Sequence, residues 1–127
     1  MTLMLQKEVC DRIMAKNKSK EYGRLTVLVQ ALCSVEKIMN VSKESFFPSP
    51  KVDSSVIKLI PKNNRPKASV LKKIQEITNI GFSKRRKMIK SSLNNILLPE
   101  YIDKSMRVED LSVSDFIKIA EINCDLA

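Results

Sequence analysis

A change of hydrophobic pattern at residues 61–66 constrains the fold more than any other feature of this sequence. The segment reads Pro-Lys-Asn-Asn-Arg-Pro. It is polar between its prolines, and proline interrupts both helices and central strands. Before it, short β-branched runs alternate with stretches of helical spacing, whereas the apolar residues after it follow helical spacing only. We therefore expect an α+β fold, with a mixed part over residues 1–62 and a small all-helical domain over residues 63–127.

The mixed part is expected to contain three strands and two helices, in the order strand, helix, helix, strand, strand. The strands are predicted over residues 2–5, 35–41 and 52–60, and the first of them is expected to be buried. The helices are predicted over residues 6–15 and 22–33. The second helix is expected to bury four residues at i, i+3, i+4 and i+7: Leu25, Leu28, Val29 and Leu32. Such a part leaves one strand edge and one sheet face uncovered.

The helical part is expected to hold three or four short helices. The first should end at Gly81, because glycine commonly follows the last turn of a helix. The second should begin near Ser83. The last helix should begin at a capping box formed by Ser112 and Asp115, in which each side chain accepts a hydrogen bond from the backbone N–H of the other residue.

The charge of the chain is positive and unevenly distributed. The net charge is +9 overall, but residues 63–90 alone carry nine basic side chains and one acidic side chain, and residues 91–127 have a net charge of −4. A concentrated positive region beside an acidic one favours a polyanion as partner. The alternative is a lysine-rich solvated surface.

Four consecutive cations, residues 84–87, form what we call the basic block, and Lys90 follows one turn later. The helical spacing predicts that the block lies in the first turns of a helix, where the helix dipole disfavours cations. A bound phosphate would reverse this cost, because helix N-termini and basic side chains both bind phosphate. We therefore predict RNA contacts, against the alternative of a solvated basic turn, by Lys84, Arg85, Arg86, Lys87 and Lys90.

Two adjacent aromatic residues, Phe46 and Phe47, precede the prolines Pro48 and Pro50. Proline fixes its own φ and favours extended geometry in the preceding residue. Residues 46–50 are therefore expected to form a rigid, non-helical segment, here called the aromatic arm. Exposed rings on a rigid arm are suited to stacking on a nucleobase. The alternative is that both rings belong to the core, since aromatic side chains bury large areas.

The arm is also part of a resemblance to a known family. Residues 46–54 read Phe-Phe-Pro-Ser-Pro-Lys-Val-Asp-Ser, which resembles the target-recognition segment of the ribosomal RNA adenine dimethyltransferases, the kasugamycin-resistance family. Further segments are similar to the same family in the same order, namely residues 4–13, 22–27, 82–87 and 106–113. Several ordered segments along nearly the whole chain are more specific than one short motif.

This resemblance implies the chemistry of a whole enzyme. Members of the family transfer methyl groups from S-adenosylmethionine to two adjacent adenines near the 3′ end of small-subunit ribosomal RNA, during ribosome biogenesis in the cytoplasm. The resemblance implies that Phe46 stacks on the extruded adenine, supported by Pro48, Pro50 and Lys51. Phe47, at a position that the family leaves variable, is expected to pack inward. The implied partners are the small ribosomal subunit and its RNA.

Two motifs that the family carries are missing from this sequence. The chain has two glycines, Gly23 and Gly81, and contains neither a Gly-x-Gly cofactor loop nor an Asn-x-Pro-Tyr motif. The resemblance therefore implies the C-terminal half of the enzyme. Residues 1–62 would supply the closing strands and helices of a Rossmann-like methyltransferase sheet, and residues 63–127 an RNA-docking domain. We expect no catalytic and no cofactor-binding residue in this chain, which alone should be inactive.

Metal and membrane sites are not expected. The sequence has no histidine, and its three separated cysteines, Cys10, Cys33 and Cys124, are expected to be reduced thiols. No apolar run has the length of a membrane span.

Arg24 is expected to be a solvated partner of Glu21. The sequence indicates no oligomeric state. Two alternatives to the dimethyltransferase remain: an erythromycin-resistance-type methylase of large-subunit RNA, and a non-catalytic remnant that binds RNA or ribosomes.

Overall fold

The computed structural model describes residues 1–124. Within this range the chain forms three strands and five α-helices, with two short 3-10 turns. The strands are β1 Thr2–Gln6, β2 Cys33–Val41 and β3 Ser54–Pro61. The helices are α1 Lys7–Ile13, α2 Arg24–Leu32, α3 Ala68–Ser83, α4 Ile89–Ser92 and α5 Val113–Cys124. All three predicted strands are therefore present, and so are the two predicted helices of the mixed part.

The central strand of the sheet is β3, which pairs antiparallel with both neighbours. Leu3 of β1 lies opposite Ile57, and Val35 of β2 lies opposite Leu59. Since both outer strands run against β3, β1 and β2 run in the same direction. An α+β architecture is thus confirmed. The relation of this sheet to a Rossmann-like sheet stays a prediction.

The two faces of the sheet have different surroundings. On one face, Ile57 and Leu59 are buried against α1. On the other face, Met4 and Met39 lie on either side of Val56, and their exposed fractions are 53% and 54%. The burial predicted for β1 is therefore wrong, because β1 is an edge strand whose alternate side chains face solvent. The predicted uncovered face is present in the part of the chain that the structure describes.

Two cores contact α2, one on each side of the helix. Val27 and Ala31 are buried in the core formed with the later helices, whereas Val29 packs against the core beneath the sheet. The predicted buried face is wrong at Leu25, whose exposed fraction is 42%. A helix with a core on each side has no single apolar stripe, so the spacing rule assigns Leu28 and Val29 to one face although they pack against different cores.

The helical core is centred on α3 and α5. Ile74 and Ile77 of α3 and Phe116 and Ile119 of α5 are all fully buried. Tyr22, which precedes the linker, is buried in the same core. The core therefore takes in residues from both sides of residues 61–66, and the division into two domains at residue 62 stays a prediction.

A close contact between α3 and a later turn explains why residue 81 is a glycine. The prediction that Gly81 ends the helix is wrong, since α3 continues to Ser83. A Cβ atom at Gly81 would lie 2.7 Å from Cγ2 of Val108, in the 3-10 turn Val108–Asp110. The glycine is needed for this approach, and not for a special backbone conformation.

The start of α5 has the predicted capping box. The backbone N–H of Ser112 donates to Oδ2 of Asp115 at 3.0 Å, and the N–H of Asp115 donates to Oγ of Ser112 at 3.1 Å. Each side chain thus satisfies one N–H that has no partner within the helix. The prediction for this helix start is confirmed.

Candidate nucleic-acid interface

The connection between β2 and β3 carries the aromatic arm and is fixed at its base by Asp53. The N–H of Lys43 donates to Oδ1 of Asp53 at 2.9 Å, and the N–H of Lys7 donates to the Asp53 carbonyl oxygen at 2.9 Å. Within the arm, the hydroxyl of Ser49 donates to the Phe46 carbonyl at 3.2 Å. These bonds hold the connection against the start of α1. The arm itself is non-helical, as predicted.

The two rings of the arm have different surroundings. Phe46 is half-buried, whereas Phe47 is fully exposed. The expectation that Phe47 packs inward is therefore wrong, and so is the alternative that both rings belong to the core. Pro48, Pro50 and Lys51 are exposed around them. Stacking of Phe46 on a base stays a prediction.

The basic block does not begin a helix. It follows α3, which ends at Ser83, and the next helix, α4, starts only at Ile89. The predicted placement is therefore wrong, and the helix dipole acts in the opposite sense. Cations just beyond the carboxy-terminal end of α3 are stabilised by its dipole. The properties of the block that support RNA contact are therefore its exposure and its charge.

Arg85 differs from the other cations of the block because its side chain binds other parts of the protein. Its Nε donates to Oε2 of Glu109 at 3.0 Å, and its Nη2 donates to the carbonyl oxygens of Ser19 and Lys20 at 3.2 and 3.3 Å. Its guanidinium carbon lies 5.8 Å from the centroid of the Phe82 ring, a cation–π distance. The other predicted RNA contacts are exposed and have no ion pair within residues 1–124: Lys84, Arg86, Lys87 and Lys90.

Residues 16–22, here called the docking loop, are fixed to the turn before α5. The N–H of Lys18 donates to the carbonyl of Glu109 at 2.8 Å, and the hydroxyl of Tyr22 donates to the carbonyl of Leu111 at 2.7 Å. Burial raises the pKa of Tyr22, so the hydroxyl keeps its proton and remains a donor. Partners 89 residues apart in the sequence leave no local pattern, and the sequence therefore does not reveal this attachment.

A cleft of about 820 Å³ lies beside the base of the arm, at the start of α1 and the first turn of α2. Seven cations and four carboxylates line it. Three of the cations have ion pairs at 3.0 Å: Lys7 with Asp11, Arg12 with Glu8, and Arg85 with Glu109. The other four have none among residues 1–124: Lys20, Arg24, Lys43 and Lys51. The expected pair of Arg24 with Glu21 is therefore wrong.

The sequence does not reveal the cleft because its cations come from separate segments. Lys20 lies in the docking loop, Arg24 begins α2, and Lys43 and Lys51 flank the arm. None of the four is next to another cation in the sequence, whereas the basic block has four consecutive cations. A search for runs of charge therefore finds the block and misses the cleft.

The described residues show neither a metal-binding cluster nor a helix that could span a membrane. Residues 1–124 contain no group of three or more His, Cys, Asp or Glu side chains that could hold a metal ion. The three cysteines are free, and burial raises the pKa of the Cys10 thiol. In the same part of the chain, no helix is both long enough and apolar enough to cross a membrane. Cytoplasmic localisation stays a prediction.

Comparison with known sequences identifies similar proteins along nearly the whole chain. The model of the family described as Ribosomal RNA adenine dimethylase matches residues 1–124. The chain is 41% identical over 126 residues to the ribosomal RNA small subunit methyltransferase A of Yersinia enterocolitica, and 42% identical over 126 residues to the protein of that name from Proteus mirabilis. Each match covers 94% of this chain and 46% of the relative. The chain thus spans about half the length of the curated relatives that it matches.

Two solved structures have a similar fold. The crystal structure of a dimethyladenosine transferase from Plasmodium falciparum matches with a TM-score of 0.75 and 28% identity, over 93% of this chain and 54% of that chain. The 23S rRNA methyltransferase ErmE matches with a TM-score of 0.63 and 20% identity, over 96% of this chain and 53% of that chain. At 20% identity the second likeness concerns the fold alone. The expected position of this chain in the C-terminal half of an enzyme stays a prediction.

Proposed function

Because this chain belongs to the ribosomal RNA adenine dimethylase family, we propose that it is part of a ribosomal RNA adenine N6,N6-dimethyltransferase. The whole enzyme takes methyl groups from S-adenosylmethionine and modifies two adjacent adenines near the 3′ end of small-subunit RNA, during ribosome biogenesis. Its partners are the small ribosomal subunit and its RNA. Support comes from the relatives named as small subunit methyltransferases and from the extent of the family match.

The observation that carries this proposal is the aromatic arm beside a cation-lined cleft. The amino group of adenine is a poor nucleophile because its lone pair is delocalised into the ring. Catalysis therefore depends on extruding the base and aligning its nitrogen with the methyl group. Phe46 is proposed to stack on the extruded adenine, a contact that contributes about 1–3 kcal/mol per base. Pro48 and Pro50 restrict the backbone of the arm, and Lys51 supplies positive charge beside it.

The basic block is proposed to dock the RNA through its phosphates. Lys84, Arg86, Lys87 and Lys90 are exposed, which leaves their charges available to a phosphate backbone. Arg85 is assigned a structural role, since its donors already bind Glu109 and two backbone carbonyls. Docking of this kind fixes the position of the RNA without reading its sequence.

The chain is further proposed to be the C-terminal part of the enzyme. An antiparallel strand between two strands of like direction suits the closing edge of a methyltransferase sheet, and the exposed face around Val56 suits a surface covered by helices from the rest of the enzyme. The two glycines do not fit a cofactor loop. Gly81 lies inside α3 against Val108, and Gly23 caps α2. S-adenosylmethionine is therefore assigned no contact in this chain, which alone is proposed to be inactive.

The test is methylation by the natural protein that carries this sequence. The protein is incubated with labelled S-adenosylmethionine and, in parallel, with undermethylated small subunits or large subunits. The RNA is digested to nucleosides to identify the product and to oligonucleotides to locate it, both by mass spectrometry. We expect N6,N6-dimethyladenosine from two adjacent positions of the small-subunit RNA. The same product in large-subunit RNA would instead support an erythromycin-resistance-type methylase. RNA binding without methylation would support a non-catalytic remnant.

A further inference from the structure

We propose that the cleft beside the aromatic arm binds the sugar–phosphate backbone of a single RNA strand, next to the base that the arm engages. This inference rests on the proposed function and adds a second RNA-binding site to the basic block. The two sites differ in kind, because the block is an exposed turn and the cleft is a recess at the base of the arm.

The cleft carries an excess of free positive charge. Two of its four carboxylates, on α1, are neutralised by ion pairs with neighbouring cations. The other two, Glu21 and Asp53, have no ion pair among the described residues, although Asp53 accepts a hydrogen bond from the backbone N–H of Lys43. They are outnumbered by four exposed cations that also have no ion pair there: Lys20, Arg24, Lys43 and Lys51. Clefts lined by charge of one sign concentrate ligands of the opposite sign.

The cations of the cleft are attached to fixed parts of the structure. Asp53 ties the arm connection to the start of α1 through two hydrogen bonds of 2.9 Å. Arg85 binds the carbonyl oxygen of Lys20 at 3.3 Å and thereby holds the docking loop in place. Arg24 is the first residue of α2, which two cores contact. Cations on fixed backbone lose less freedom on binding, so the positions of the charges favour one path of the ligand.

The aromatic rings beside the cleft favour a single strand over a duplex, because the bases of a single strand are free to stack on protein rings. The cleft itself has a volume of about 820 Å³. Single-stranded nucleic acid is typically bound by a positive groove that follows the backbone, with aromatic rings on which the bases stack. The cleft supplies the groove, and Phe46 and exposed Phe47 supply the rings.

The experiment compares three charge variants of the chain. Arg24→Gln with Lys51→Gln removes two free cations of the cleft. Lys72→Gln with Lys118→Gln is the matched control, because these two residues are exposed, have no ion pair within residues 1–124 and lie outside the cleft. A third variant replaces Lys84, Arg86 and Lys87 by Gln. Binding is measured against salt concentration for an RNA hairpin with an unpaired loop and for a fully paired RNA duplex with the same number of phosphates.

For the hairpin, we expect the slope of the logarithm of the binding constant against the logarithm of the salt concentration to be shallower by about 1.4 in the cleft variant. This value is the sum of two lost phosphate contacts, each of which contributes about 0.7 on a single strand. The salt dependence of the cleft variant for the duplex should equal that of the unmodified chain, and the control should be unchanged on both RNAs. Replacing the phosphates that flank the unpaired bases by neutral methylphosphonates should weaken binding by the unmodified chain more than binding by the cleft variant. Melting temperatures confirm that all variants fold.

The possible failures have different meanings. An unchanged hairpin slope for the cleft variant, with a reduced slope for the basic-block variant, would overturn the cleft site and leave the proposed function in place. An equal loss on hairpin and duplex would also overturn it, because the effect would then be a general one of charge. A chain that binds neither RNA would overturn the cleft site, whereas the proposed function is decided separately by the methylation test with the natural protein.

Discussion

Neighbouring cations of the basic block have different roles in the folded chain. Arg85 donates to Glu109 and to the carbonyl oxygens of Ser19 and Lys20, whereas Arg86 next to it is exposed and has no ion pair among the described residues. The sequence predicts the positive charge of the block correctly but not this difference. The acceptors lie 24, 66 and 65 residues from Arg85, and no local spacing indicates such contacts.

Arg85→Lys should separate the structural role of this residue from its charge. Lysine keeps the charge but lacks the fork of donors that reaches several acceptors. We expect a loss of about 1–2 kcal/mol in the free energy of unfolding, because the acceptors on the docking loop and on Glu109 lose their partner. The salt dependence of RNA binding should stay the same. Urea unfolding and salt titrations measure both, with Arg86→Lys as the control that should change neither. Equal stability of the two variants would contradict the structural role.

Phe46 and Phe47 should respond differently to replacement by alanine in the whole enzyme. Phe46→Ala should lower the rate of single-turnover methylation strongly if the ring stacks on the extruded adenine, while Phe46→Tyr and Phe46→Trp keep most of it, because stacking needs an aromatic face. Phe47→Ala should leave the melting temperature unchanged, since the exposed ring has no packing to lose.

Thermal melts on the same variants distinguish stacking from packing. A core role of Phe46 would lower the melting temperature of Phe46→Ala by the equivalent of about 3–5 kcal/mol and would make Trp worse tolerated than Tyr. A large fall in melting temperature with normal methylation per folded molecule would refute the stacking role. RNA binding by Phe46→Ala should be weakened by no more than the roughly 1–3 kcal/mol of one stacked base, because docking is assigned to phosphate contacts elsewhere.

At the scale of elements, local patterns predict the strands and the start of α5 correctly, but not the end of α3 or the start of α4. The strand predicted over residues 52–60 and the Ser112–Asp115 capping box depend on residues close in sequence, and both are confirmed. The end of α3 and the position of the basic block depend on the contact of Gly81 with Val108 and on the contacts of Arg85, which join distant segments. Local sequence patterns therefore predict the wrong end for α3 and the wrong position for the basic block.

Gly81→Ala should destabilise the protein although alanine is the better helix former. The new methyl group would lie 2.7 Å from Cγ2 of Val108, so α3 and the turn would have to separate. We expect a net loss of about 1–3 kcal/mol, because overpacking outweighs a gain in helix propensity of about 1 kcal/mol. The matched control is Asn79→Ala on the exposed side of the same helix, which should be neutral or stabilising.

A second substitution tests the cause of this loss. Val108→Ala removes the methyl group that the new Cβ atom would meet, so the double variant should be less destabilised than the sum of the two single changes predicts. Additive losses would contradict steric conflict at this contact. Thermal or urea unfolding of all three variants supplies the comparison.

On the scale of the whole molecule, α2 links the two cores. Val27 and Ala31 belong to the helical core and Val29 to the core beneath the sheet, so neither core is complete without this helix. The sequence predicts α2 as a helix but assigns it one buried face, because spacing rules assume a helix on the surface of a single core. The change of composition at residues 61–66 therefore does not imply that the parts on either side of it unfold independently.

Val27→Ala should weaken both parts of the protein together. We expect a loss of about 1–3 kcal/mol from the missing methyl groups, with reduced hydrogen-exchange protection in β3 and in α5 alike. Leu25→Ala on the exposed side of α2 is the control and should have little effect. Urea unfolding followed by far-ultraviolet circular dichroism and by tyrosine fluorescence should give coincident transitions. Loss of protection confined to α5 would mean that the two parts unfold independently.

The hydrogen bond between Tyr22 and Leu111 also bears on how the chain folds while it is being synthesised. The two partners are 89 residues apart, which at a translation rate of 5–20 residues per second corresponds to a delay of about 4–18 s. During that interval Tyr22, Val27 and Ala31 have been made, but α5, which completes their core, has not. The sheet can form early, whereas one side of α2 must wait for the last helix. A nascent chain arrested before α5 should therefore expose an apolar surface to chaperones, and one released after α5 should not.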